Sequence, residues 1–200
     1  MSPSLVVHGF ETSNNMKVRV ALGYKGLAYT FCTIDPGERG EVERISGQHL
    51  TPVLVHADTV LCDSAAILRY LDCNFPETPK LFGGSLAEQW EIEDWELFGR
   101  TTLANPMLRV VHNSVLGTPL NEEGVADCAR AWEDALGRLA MRMAGREWLV
   151  GETLSAADIT AAAVITRVTR AELFEANPAA DALRMWVARV MKYDGVARQS

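Results

Sequence analysis

Three short stretches of this chain set polar side chains where a helix or strand begins. Phe10-Glu11-Thr12-Ser13-Asn14-Asn15-Met16-Lys17-Val18-Arg19 places the hydroxyls of Thr12 and Ser13 and the amide of Asn14 ahead of an apolar helical pattern. All three types cap helices well. Asp63-Ser64 opens a second helix, whose apolar face is Ile67, Leu68, Tyr70 and Leu71. A helix start carries free N–H groups and the positive end of the dipole, so it is a ready carboxylate site. Between them lies Thr51-Pro52, where proline opens a strand at the position that least misses its N–H. Metal and disulfide chemistry find no such footing. Cys32, Cys62, Cys73 and Cys128 are scattered, with no C-x-x-C and no ligand spacing, and read as reduced, mostly structural thiols.

The elements that must hold these residues alternate over the first eighty positions. Leu5-Val6-Val7 is a short strand, and Met16 to Tyr24 a helix ended by Gly23 or Gly26. Tyr29 to Ile34 is aromatic and β-branched, hence a second strand. Arg39 to Ile45 reads as a short helix closed by Gly47. Val53 to His56 and Thr59 to Cys62 form a hairpin around Ala57-Asp58, and the helix at Asp63 follows. The order β-α-β-α-β-β-α is the thioredoxin-like arrangement, a small mixed sheet covered by helices. This first domain spans 1–77.

Residues 76 to 85, Pro76-Glu77-Thr78-Pro79-Lys80-Leu81-Phe82-Gly83-Gly84-Ser85, are turn-rich, and 78–85 is assigned as a linker. From 86 to 200 the strand signal vanishes. Helices are expected over Leu86 to Leu103, stopped before Asn105-Pro106, and over Val125 to Met143, Asp158 to Arg170 and Ala182 to Met191. The third is alanine-rich and apolar enough to be central and buried. The fold class is therefore α/β followed by all-α.

Composition narrows the classes. The chain has 200 residues, 48% of them hydrophobic, enough for one large core or two compact domains. A net charge of −7 argues against nucleic acid, whose binders carry a basic face. No apolar run is long enough to span a membrane. Met1-Ser2-Pro3-Ser4 lacks the regions of a signal peptide, so a cytoplasmic location is expected.

Thr51-Pro52-Val53-Leu54, Asp63-Ser64-Ala65-Ala66-Ile67 and the capping box Ser155-Ala156-Ala157-Asp158, in this order and at these distances, resemble the glutathione transferase family. The likeness covers nearly the whole chain, and Thr12 to Val18 is similar to the helix start of its serine- and cysteine-type branches (phi, zeta and theta-like). The resemblance implies glutathione as co-substrate, no metal, and a homodimer. In the family a side chain after the first strand donates a hydrogen bond to the glutathione sulfur, favouring the reactive thiolate. Thr12 falls on that position, with Ser13 and Asn14 as alternatives. The residue before a cis proline offers its backbone to the cysteinyl part, which points to Thr51-Pro52. Ser64 would take the γ-glutamyl carboxylate and Asp63 the ammonium. Phe10, Trp90, Trp95, Phe98 and Met107 are candidates for the electrophile's pocket, although aromatic residues at helical spacing are more often core.

One departure stands out. The family usually has lysine or glutamine before this dipeptide, reaching the glycyl end of glutathione, and this chain has Leu50. Arg39, Gln48 or His49 would have to substitute. The leading expectation is a glutathione transferase acting on a small, mainly apolar electrophile. The alternatives are a non-catalytic module of the same fold and a glutathione-dependent isomerase or dehalogenase.

Overall fold

The structure, a computed structural model, describes residues 4–175 and 177–195. Met1 to Pro3, part of the stretch read as lacking a targeting signal, lie outside the described residues, as do the last positions of the 86–200 assignment. Two compact units divide at Phe82–Gly83, and residues 191–195 return to the first.

The first unit holds a four-stranded sheet in the order β2-β1-β3-β4. These strands are β1 (Leu5–Gly9), β2 (Tyr29–Thr33), β3 (Val53–His56) and β4 (Thr59–Leu61). β1 runs parallel to β2 and antiparallel to β3, which runs antiparallel to β4. A parallel pair needs a crossover, here α1 (Ser13–Tyr24), whereas β3 and β4 need only the tight turn at Ala57-Asp58. Ala57 accepts a left-handed φ of 52° there. α2 (Gly40–Ser46) lies between β2 and β3, and Val42 joins Ile34 and Val53 in one apolar cluster. α3 (Ser64–Asn74) packs with α1, and Met16, Val20, Ile67, Leu68 and Leu71 are wholly buried.

Two buried charges fix the edges of this unit. Lys25 donates to Asp72 at 3.1 Å and to the Pro79 carbonyl at 3.0 Å, while Asp72 accepts from the N–H groups of Leu81 and Phe82. The turn-rich segment is thereby held on the first unit as far as Phe82. Arg19, 2% exposed, makes two bonds to Asp194 at 2.9 and 2.8 Å and one to Glu11 at 3.1 Å. Burial works against its charge, but the two carboxylates outweigh burial and raise its pKa.

The second unit is helical. It contains α4 (Leu86–Phe98), α5 (Asn105–Val115), α6 (Glu122–Met143), α7 (Ala156–Arg170) and α8 (Pro178–Met191, whose last residue belongs to the first unit). Here the structure departs from the sequence reading. The expected helix to Leu103 is α4 followed by a wide π-type turn over Gly99–Leu103, and Asn105-Pro106 starts a helix instead of merely stopping one. Proline in the first turn removes an N–H that would be orphaned anyway. α7 is buried from Ala156 through Ile165, as its composition required. A Cβ on Gly99 would meet the Thr160 methyl at 2.8 Å, so glycine permits the close approach of the wide turn to α7.

At the head of α7, Ser155 and Asp158 form the expected reciprocal capping box. Asp158 also accepts from the Leu149 N–H at 2.9 Å and from Trp186 Nε1 at 3.0 Å. Burial pushes its carboxyl pKa up, against the pull of these hydrogen bonds.

Candidate functional site

Thr12 ends the loop after β1 and is the N-cap of α1, with extended dihedrals of −134° and 160°. Its Oγ1 accepts from the Asn15 N–H at 3.2 Å and from Asn15 Nδ2 at 2.8 Å. The same Nδ2 donates to Thr51 Oγ1 at 3.0 Å. One amide thus ties the start of α1 to the residue before Pro52, across thirty-six positions of chain. The Thr51–Pro52 peptide is cis.

The third part arrives through α3. Asp63 is its N-cap and accepts from the Ala66 N–H at 2.8 Å. Ser64, 6% exposed, donates through Oγ to Asn14 Oδ1 at 3.4 Å. The starts of α1, β3 and α3 therefore meet in the first unit, and two of them are helix N-termini, where anions are favoured. Thr12, Thr51, Pro52, Asp63, Ser64 and Asn14 are brought together by these links. Ser13 is the first residue of α1 and buried at 7% exposure, whereas Asn14 is exposed.

Asn15 was not singled out from the sequence. It is 0% exposed, and its Oδ1 lies where a Cβ on Gly9 would sit, at 1.7 Å. The only signal in the chain was its place three residues beyond the cap, the N3 position that reaches back to an N-cap.

Around Leu50 the arrangement differs. Leu50 is 72% exposed. Gln48 is folded onto its backbone, donating to the Leu50 carbonyl at 2.8 Å and accepting from its N–H at 2.5 Å. Arg39 donates to the carbonyls of Pro36 at 2.8 Å and His49 at 3.0 Å, and its guanidinium lies 4.5 Å from the centre of the half-buried Phe10 ring. His49 faces Glu43 at 3.6 Å.

Of the pocket candidates in the second unit, Phe98 and Met107 are each 5% exposed, while Trp95 is half-buried. Trp95 and Phe98 meet edge to face at 5.2 Å, and the Arg138 guanidinium covers both rings. Among the described residues there is no group of three or more His, Cys, Asp or Glu able to hold a metal.

Comparison with known proteins agrees with this architecture. Residues 7–79 match the glutathione S-transferase N-terminal domain and residues 103–194 the glutathione S-transferase C-terminal domain. The chain belongs to the glutathione transferase family. It is 26% identical to glutathione S-transferase F10 of Arabidopsis thaliana over 156 residues, covering 74% of this chain and 73% of that one. A probable maleylacetoacetate isomerase of Vibrio cholerae is 28% identical over 188 residues, 86% of this chain and 83% of its own. A solved glutathione S-transferase from Rhodospirillum rubrum superposes with a TM-score of 0.79 at 26% identity, covering 93% of this chain and 87% of that one.

Proposed function

We propose that this protein binds glutathione at the meeting point of α1, β3 and α3 and transfers its thiolate to a small, mainly apolar electrophile. The observation that carries this reading is the convergence of Thr12, Thr51-Pro52 and Asp63-Ser64 in one unit. Ser64, through its hydroxyl and N–H at the head of α3, takes the γ-glutamyl carboxylate, and Asp63 answers the ammonium. The Thr51 backbone pairs with the cysteinyl part. Thr12 donates its O–H to the sulfur, which lowers the thiol pKa from about 8.5 and keeps the nucleophile charged at neutral pH. The thiolate then attacks the electrophile's carbon and its leaving group departs with the bonding pair.

Glutathione at about a hundred times its Kd should stabilise the protein by roughly 2.7 kcal/mol. Thermal melts with millimolar glutathione, retention on a glutathione resin and conjugation of an aryl halide test this together. Absence of all three sinks the enzyme reading and leaves the non-catalytic module, which exposed Leu50 favours. Glutathione-dependent isomerisation is the second enzymatic reading, favoured by the long match to the isomerase-named relative.

Two further features belong to the proposal. α4 presents Leu86 (67% exposed), Trp90 (65%) and Leu97 (44%) at spacings of four and seven, hence on one face. A two-fold partner would cover that stripe. Light scattering should give about twice 22.0 kDa, and a clean monomer would remove the claim. A cytoplasmic location is proposed as well; no described helix is long and apolar enough to cross a membrane.

A further inference from the structure

A threonine hydroxyl has one hydrogen to give and two lone pairs to receive with. Both lone pairs of Thr12 are occupied, by the N–H of Asn15 at 3.2 Å and by its Nδ2 at 2.8 Å. The second hydrogen of Nδ2 goes to Thr51 Oγ1 at 3.0 Å, so the amide nitrogen is fully used. Its oxygen is turned away: Oδ1 is buried without a hydrogen-bond partner, against Gly9. Asn15 is 0% exposed, so the amide itself is out of reach of water. Nothing in this arrangement accepts the Thr12 hydrogen.

We infer that Asn15 is a positioning residue that fills the acceptor side of Thr12 and leaves its hydroxyl only the role of donor toward the thiol sulfur. Gly9 belongs to the same device, because any Cβ there would displace the amide. The inference rests on the transferase reading and deepens it. A plain helix cap would need only the Asn15 N–H. The side-chain bonds to Thr12 and Thr51 go beyond capping.

The test is the pH profile of turnover and the thiolate absorbance of bound glutathione, measured on folded protein. Asn15→Ala should move the bound thiol's pKa upward by about one unit, with turnover at neutral pH falling about ten-fold. Glutathione Kd should change by less than about two-fold, since Asn15 does not touch the tripeptide's charged ends. In the Thr12→Ala background the same change should add no further pKa shift, because Asn15 acts only through Thr12. Gly9→Ala should shift the pKa in the same direction. If Asn15→Ala does not fold, Thr51→Val frees the amide to swing away and should give a smaller upward shift. A wild type that conjugates glutathione while the folded variants keep its pH profile, or move it downward, overturns this inference alone. An additive shift in the double variant does the same. A wild type that neither binds nor conjugates glutathione overturns the transferase reading and this inference with it.

Discussion

The N-caps of α1 and α7 are built from the same grammar and put to opposite uses. Thr12 and Ser155 both hold extended dihedrals, −134° and 160° in one, −128° and 174° in the other. Each is a hydroxyl residue bonded to the position three residues on. At α7 the system is closed. Asp158 is 0% exposed and gathers donors from Leu149, Ser155 and Trp186, so the cap locks three segments of one unit. At α1 the third residue is neutral Asn15, which feeds hydrogen into Thr12 and takes none from it. Thr12 is only partly buried. A cap completed by an acid is spent on stability, whereas a cap completed by an amide keeps a donor to offer.

The largest expected effect breaks the closed cap. Asp158→Ala strips partners from the buried donors of Leu149 and Trp186 and should cost about 3–5 kcal/mol. Urea unfolding would show this as a lower midpoint with or without glutathione. A loss under about 1 kcal/mol would mean that the α7 cap is not the lock described.

The next effect falls on the open cap. Thr12→Ala removes one charge-assisted bond of about 1.5–3 kcal/mol, so turnover should drop roughly ten- to a hundred-fold with glutathione affinity kept. Its effect on stability should stay near the 1 kcal/mol typical of a lost cap. Thr12→Ser should remain active, and Ser13→Ala should leave turnover nearly intact. Steady-state kinetics on an aryl halide decide the register: if Ser13→Ala abolishes turnover and Thr12→Ala does not, Ser13 is the donor.

The smallest effect sharpens the comparison at the rim. Leu50→Lys places a cation at the position that the resemblance assigns to lysine or glutamine, on a side chain now 72% exposed. An exposed ion pair contributes about 0.2–1 kcal/mol, so glutathione should bind no more than several-fold tighter, by calorimetry. Unchanged affinity would indicate that the glycyl end is not held from this position.

The α/β-then-helical order, the Ser155–Asp158 box and the hairpin around Ala57-Asp58 were legible in the sequence because each rests on local chemistry: periodicity, capping and turn preference act within a few residues. The same locality misled at Asn105-Pro106. Proline marks a helix boundary but not which side of it the helix lies on, and packing of the π-type turn on α7 through Gly99 is a contact between distant segments. The return of the chain to Arg19 through Asp194, 175 positions away, leaves no local trace either. At the candidate site, sequence alone determined which residue types sit at the starts of α1, β3 and α3. Only the tertiary structure decided that Asn15, and not its exposed neighbour Asn14, joins Thr12 to Thr51. A hydrogen-bond direction depends on which buried atoms face each other, and that is fixed by packing across the sheet and helices.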